Sequence, residues 1–77
     1  MNYITDTASI KKLMIDKDIK SITELAEQSG ITRETLSNIL NGNKQPSGDV
    51  MRKLVSCLEI EPSDAGCIFF KPDLRDT

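Results

Sequence analysis

The stretch "SITELAEQSGITRETLSNILNG", residues 21–42, predicts two short helices joined by a tight turn. Ser21 followed three residues later by Glu24 has the form of a capping box, in which the hydroxyl accepts an amide proton and the carboxylate reaches back. Gly30 ends the first helix, because glycine adopts the left-handed conformation without steric cost. Ala26 provides the small side chain that two steeply crossing helices need at their contact.

The second helix of this stretch, capped by Thr32, carries two kinds of side chain. Its apolar residues share one side of the helix: Leu36, Ile39 and Leu40. Its polar residues fall elsewhere: Arg33, Glu34, Ser37 and Asn38. So many hydrogen-bonding groups on the side that does not pack suggest that this side has a partner.

A helix is predicted before this stretch and two more after it. "TASIKKLMIDKDI" places Ile10, Leu13 and Met14 at helical spacing, behind a cap at Asp6 or Thr7. "NGNKQPSG" is typical of an exposed loop. "DVMRKLVSCLEI" has a broad apolar stripe, which predicts the central helix of the core, with its cap at Ser47 or Asp49. "EPSDAGCIFF" has proline at a first helical position and predicts a short last helix.

Length and composition favour one small all-α domain. The 77 residues allow a single core, and only three of them are aromatic, so aliphatic side chains must fill it. We expect a compact five-helix bundle as a single domain over residues 1–77, with a core from about residue 7 to residue 70 and an acidic C-terminal tail from 71 to 77.

Several classes of function lose support from the residues that are missing or isolated. The sequence has no histidine, which removes the usual general base and most metal sites. Cys57 and Cys67 are ten residues apart without a Cys-x-x-Cys motif, so we expect two reduced, largely buried thiols. No apolar run is long enough to span a membrane. We therefore expect a soluble, cytoplasmic protein with no catalytic residue, no metal site and no cofactor.

The net charge of −2 and the pI of about 5.0 argue at first against a nucleic-acid partner. The acidity is unevenly distributed, however. Residues 59–77 contain five acidic and two basic side chains, which leaves residues 1–58 with a net charge of +1. A DNA-binding surface in the first part of the chain is therefore compatible with the overall charge.

The stretch "LAEQSGITRETLSNILNGNKQPS" resembles the phage Cro and repressor class of helix-turn-helix DNA-binding proteins, the XRE-like family. It is similar in its Leu-Ala pair, glycine turn, capped helix, Asn-Gly, basic loop and Pro-Ser, and the resemblance extends over roughly residues 8–70. It implies a lambda-repressor-like fold. It also implies a sequence-specific double-stranded DNA-binding transcriptional regulator, most simply a small phage-type or prokaryotic repressor.

By this resemblance the helix from Thr32 to Leu40 is the recognition helix, which lies in the major groove of DNA. Side chains for base contacts are then Arg33, Glu34, Ser37, Asn38 and Asn41. Groups for the phosphate backbone are Thr32 at the helix N-terminus and, in the following loop, Asn43, Lys44 and Gln45. Asn41 beside Gly42 is equally explained as a helix cap. A surface residue is the alternative for Arg33 and a charged loop tip for Lys44, but we favour the DNA contact at both.

The sequence departs from the family pattern at two places. Ile22 stands where the family often has glutamine, so a DNA contact at that position is in doubt and Ile22 could pack inward. The connection "KDIKS" between the first two helices is one residue longer than the commonest form, which indicates a loop adjustment.

One short helix reads only a few base pairs, so we expect a homodimer on a palindromic operator with half-sites about 34 Å apart. Ile68, Phe69 and Phe70 are the candidates for a dimer interface. We expect two of these three in the core and the remaining one at the interface. No small-molecule ligand is evident. The alternative is an antitoxin-like or protein-interaction module that uses the same scaffold, with DNA binding secondary.

Overall fold

The computed structural model describes residues 2–74, which form five helices and one pair of very short strands. In chain order they are β1 (Tyr3–Ile4), α1 (Thr7–Asp16), α2 (Ile22–Ser29), α3 (Arg33–Leu40), α4 (Gly48–Leu58), α5 (Pro62–Phe69) and β2 (Lys71–Pro72). The predicted all-α, five-helix fold is confirmed. The short strand pair is an addition that the sequence pattern did not indicate.

Hydrogen bonds from side chains define where most of the helices begin. Four side chains accept a hydrogen bond from the backbone N–H three residues further on: Asp6, Ser21, Thr32 and Ser47. In α2 the capping box is completed one residue earlier than its usual form, since the Glu24 carboxylate accepts from the Lys20 N–H at 3.0 Å. At α5, Pro62 occupies the first turn and Glu61 makes no side-chain capping bond. These caps satisfy amides that have no partner inside the helix.

The turn between α2 and α3 depends on Gly30. Its φ of +77° lies in the left-handed region, and its N–H donates to the Ala26 carbonyl at 3.0 Å. The chain then needs only Ile31, which is buried, and Thr32 before α3 begins. This connection fixes the angle between α2 and α3 and thereby the direction in which α3 points.

The core consists mainly of aliphatic side chains contributed by all five helices and their connections, together with Met14 and Phe69. Six of these side chains are less than 2% exposed: Ile10, Leu25, Leu36, Ile39, Leu54 and Leu58. α2 packs against α3 and α4, and α5 packs against α1 and α4. In α4 the predicted apolar stripe is present, with Leu54 and Leu58 buried and its neighbours partly buried. Each fully buried side chain contributes about 1.5–3 kcal/mol to the stability of the domain.

The strands β1 and β2 pair in antiparallel orientation and bring the two ends of the described chain together. Tyr3 lies opposite Pro72, and Ile4 lies opposite Lys71. The pairing is extended by a hydrogen bond from the Asp73 N–H to the Asn2 carbonyl at 2.8 Å. The expected acidic tail is therefore not a free segment at residues 71 and 72. Its residues 75–77 lie outside the described part of the chain.

Gln45 in the loop between α3 and α4 is bound to the N-terminal segment. Its side-chain oxygen accepts from the Thr5 hydroxyl at 2.6 Å, and its side-chain nitrogen donates to the Tyr3 carbonyl at 2.7 Å. Thr5 is only 9% exposed and the next loop residue, Pro46, is buried. The side-chain amide of Gln45 thus fastens the loop to β1, and the expectation that Gln45 also holds the DNA backbone stays a prediction.

Replacing Gln45 by alanine should therefore destabilise the domain. The Thr5 hydroxyl would lose its acceptor and the Tyr3 carbonyl its donor, so we expect the free energy of unfolding to fall by about 1–2 kcal/mol. Urea denaturation followed by circular dichroism measures this change. Asn43→Ala in the same exposed loop is the control and should change stability by less than about 0.5 kcal/mol. Equal effects of the two substitutions would contradict the assigned role of Gln45.

The two cysteines are free thiols with different surroundings. Cys57 is partly buried, and its burial raises the pKa of the thiol above the usual value. Cys67 is exposed, which corrects the expectation that both thiols are largely buried, because it lies on the side of α5 that does not pack. Within residues 2–74 no helix is both long enough and apolar enough to cross a bilayer.

Candidate nucleic-acid interface

The helix α3 is held rigidly by its apolar side. Leu36, Ile39 and Leu40 are 0%, 1% and 6% exposed, and the helix packs against α2. A helix of eight residues has little stability of its own, so this packing is what maintains it. The remaining sides of α3 are consequently presented in a fixed orientation.

The polar side chains at the start of α3 are exposed and available. Arg33 and Glu34 are both exposed, and the side chain of neither makes a hydrogen bond or ion pair with another residue in the range 2–74. Ser37 and Asn38, one turn further along, are partly exposed. These four residues are the ones that the sequence predicted to face away from the core. Of the four, only Ser37 has a side-chain hydrogen bond within the described residues, a long one accepted from Asn41 at 3.4 Å.

Thr32 is occupied by capping α3. Its hydroxyl oxygen accepts from the Thr35 N–H at 3.2 Å, and its O–H group donates to the Thr35 hydroxyl oxygen at 2.7 Å. The groups at this helix end that remain suited to a phosphate are the backbone N–H groups of Arg33 and Glu34, which have no partner inside the helix. Thr32 can therefore contribute to anion binding only indirectly, because its cap holds these two N–H groups in position.

Asn41 is part of the end of α3. It is the C-cap residue, its backbone N–H donates to the Ser37 carbonyl, and its side-chain nitrogen donates weakly to the Ser37 hydroxyl at 3.4 Å. Gly42 follows in the left-handed conformation with φ +78°. The helix-end role considered for Asn41 is thus realised, although its side chain is exposed and the bond to Ser37 is long enough to be exchanged for another partner.

Asn43 and Lys44 lie in the exposed loop that follows α3. The Asn43 N–H donates to the Asn38 carbonyl at 2.8 Å, which holds the loop against the end of the helix. Lys44 makes no ion pair within residues 2–74 and lines a recess of about 270 Å³ between this loop and β1. Arg33 and Lys44 therefore place positive charge before and after the polar residues of α3.

The next basic residues along the chain, Arg52 and Lys53 of α4, share a single acidic partner. Arg52 and Lys53 both pair with Asp49, and their hydrogen bonds lower the pKa of that carboxyl. By contrast, Arg33 and Lys44 make no ion pair with any described residue. The only acidic side chain on α3 is that of Glu34. The small net charge of the chain thus conceals a net charge of +1 on α3 and the loop that follows it.

The structure also places the apolar residues singled out elsewhere in the sequence, which are Ile22 and the three candidates for a dimer interface. Ile22 is partly buried against the core, as considered for this departure from the family pattern. Ile68 and Phe69 are 6% and 3% exposed and lie in the core, as expected for two of the three candidates for a dimer interface. Phe70 is 55% exposed and contacts Tyr3 edge to face, with ring centroids 6.4 Å apart. Of the three, only Phe70 offers an apolar surface to a second copy.

The described residues offer no alternative metal site. Within residues 2–74 no three side chains among cysteine, aspartate and glutamate are grouped so that they could hold a metal ion.

Comparison with known proteins points in the same direction. The family model described as the Cro/C1-type HTH DNA-binding domain matches residues 9–65, which includes all of α2, α3 and α4. A search of curated proteins and a search of solved structures gave no match.

Proposed function

Because the chain belongs to the family of Cro/C1-type helix-turn-helix DNA-binding domains, we propose that it binds double-stranded DNA at specific sequences and regulates transcription. In the simplest form it is a small phage-type or prokaryotic repressor that covers a promoter. In this proposal residues 1–77 act as a single DNA-binding domain in the cytoplasm, with no cofactor and no catalytic activity. The observation that supports it best is the exposed polar side of α3, opposite a fully buried apolar side.

Each polar residue of α3 has a role in this proposal that follows from its chemistry. Arg33 donates two hydrogen bonds to guanine, and Asn38 pairs with adenine. Ser37 hydrogen-bonds either kind of base, and Glu34 accepts from cytosine while repelling other contacts. Asn41 contributes once it exchanges its long bond to Ser37. The phosphate backbone is held by the amides after Thr32 and by Asn43 and Lys44.

A homodimer on a palindromic operator extends the proposal. One helix of eight residues reads only a few base pairs, whereas two copies related by a two-fold axis read two half-sites about one turn of DNA apart. Phe70 and its neighbour Tyr3, both more than half exposed, are the apolar residues that we assign to this interface.

The function is tested by selecting bound sites from a pool of random DNA duplexes and titrating the selected duplex at several salt concentrations. We expect a palindromic consensus and a steep fall in affinity with rising salt, because each neutralised phosphate releases counterions. Failure to bind any duplex at low ionic strength would refute the proposal. Stoichiometric capture of a protein partner by a chain that ignores DNA would favour the antitoxin-like alternative.

Lys44→Ala should weaken binding to all DNA sequences by a similar factor. A phosphate contact carries no sequence information, so we expect about a three- to tenfold loss of affinity and a salt-dependence slope that is smaller by about 1. Lys11→Ala is a matched control, since Lys11 is an exposed lysine of α1 without an ion pair among residues 2–74. Fluorescence anisotropy with the selected and a scrambled duplex measures both. A loss confined to the selected duplex would contradict the phosphate role.

A further inference from the structure

We propose that a groove between α1 and α5 is a docking site for a cationic, amphipathic segment of a partner protein. This groove, called the α1–α5 groove below, has a volume of about 400 Å³, which is within the range of surface pockets that take up ligand side chains. The proposal goes beyond DNA binding, because it assigns a second surface with a different kind of partner.

The floor of the α1–α5 groove is apolar. It is formed by Leu13 of α1, by Ile60 in the turn before α5 and by Ile68 of α5. Ile60 and Ile68 are each 6% exposed, and Leu13 is partly exposed. Leu13 therefore contributes most of the accessible apolar surface of this floor. Apolar side chains of a partner would cover this floor and remove it from water.

The rim of the α1–α5 groove is strongly acidic. Five carboxylates and one basic side chain line the groove: Asp6, Asp16, Glu59, Glu61, Asp64 and Lys12. Two of these carboxylates already have partners. Asp6 accepts from the Ser9 hydroxyl at 2.8 Å, which lowers the pKa of Asp6, and Glu59 pairs with Lys17 at 2.8 Å.

The other three carboxylates, those of Asp16, Glu61 and Asp64, are exposed and have no ion-pair or hydrogen-bond partner within residues 2–74. They surround an apolar floor and face Lys12 as the single lining cation. A partner that combines apolar anchors with lysine or arginine side chains is complementary to this arrangement, whereas phosphate groups are repelled. The sign of the charge therefore selects a basic protein segment and excludes a nucleic acid.

The position of the α1–α5 groove leaves it accessible while α3 contacts DNA. None of its lining residues belongs to α2, α3 or the loop between α3 and α4. The two surfaces therefore do not share a side chain. A partner held in the groove would be carried to the DNA site by the domain, and its binding does not require α3 to be free.

Cys67 provides a local reporter for occupancy, because it is exposed and lines the α1–α5 groove. A short synthetic peptide in which leucine and lysine recur at helical spacing is the probe. We expect this peptide to slow alkylation of Cys67 by iodoacetamide at low salt, as read by mass spectrometry of the intact chain and its fragments. The same peptide with glutamate in place of lysine should give no protection.

A matched pair of variants localises the effect. Glu61→Lys reverses a charge on the rim, and Glu27→Lys makes the same change on the exposed surface of α2. We expect Glu61→Lys to weaken binding of the lysine peptide about tenfold and Glu27→Lys to weaken it less than twofold. The unfolding free energy of both variants, measured in urea, confirms that they fold, and unchanged DNA affinity of Glu61→Lys separates this site from α3.

The proposal is overturned by any of three outcomes. They are absence of Cys67 protection, equal weakening by the two variants, and protection of Cys67 that rises with protein concentration without peptide. The last result, together with a dimer in sedimentation, would assign the α1–α5 groove to a second copy of this chain. Failure of the groove proposal leaves the DNA-binding proposal unaffected, because binding to duplex DNA is measured separately.

Discussion

Leu36→Ala is expected to lower the free energy of unfolding by about 3 kcal/mol. Leu36 is fully buried, and it joins α3 to the core that α2 and α4 also share. Its truncation removes the transfer free energy of the side chain and leaves a cavity that neighbouring aliphatic residues fill only in part. In a domain of 77 residues this is a large fraction of the total stability.

Urea denaturation at several temperatures measures the effect, and Leu74→Ala is the matched control. Leu74 is 72% exposed, so the same chemical change there should alter the free energy of unfolding by less than about 0.5 kcal/mol. Leu36→Ala should also weaken binding to the selected DNA duplex, because α3 depends on this contact for its orientation. Similar stabilities of the two variants would show that α3 is not held through Leu36.

Arg33→Ala is expected to reduce affinity for the selected duplex by about 10- to 100-fold and to relax the preference at one base position of each half-site. Arg33 is exposed without a partner within residues 2–74, so the substitution costs the fold almost nothing. The loss is therefore a property of the contact with DNA. Repeating the site selection with the variant shows directly which position is relaxed.

Arg33→Lys separates the charge of this residue from its geometry. A lysine keeps the positive charge and its attraction to phosphate, but it lacks the planar fork that donates two hydrogen bonds to guanine. We expect binding to a scrambled duplex to be retained and discrimination between the two duplexes to fall nearly as far as in Arg33→Ala. If the lysine variant kept the original base preference, the fork geometry of Arg33 would not be what reads the base.

The helices and their ends could be predicted from the sequence because their causes are local. Ser21, Thr32 and Ser47 bond to amides three residues away, and Gly30 needs only its own backbone freedom. The buried side of α3 followed from helical periodicity alone. Periodicity also placed Arg33, Ser37 and Asn38 on the polar side of α3, whereas their assignment to DNA came from the resemblance to the helix-turn-helix family.

Features that depend on distant parts of the chain could not be predicted. Strands of two residues have no periodic signal, so the pairing of Tyr3–Ile4 with Lys71–Pro72 is invisible in the sequence. The inward bonding of Gln45 depends on Thr5, forty positions away. The exposure of Cys67 and the acidic rim beside it depend on how α1 and α5 pack together.

The pairing of β1 with β2 gives the domain a single point of entry and exit. Because Asn2 and Asp73 are joined by a backbone hydrogen bond, the two ends of the described part of the chain lie side by side. A unit with adjacent ends can be inserted into a surface loop of another protein without stretching its host. The same closeness allows the ends to be joined by a short linker and new ends to be opened at an exposed turn, with all five helices kept.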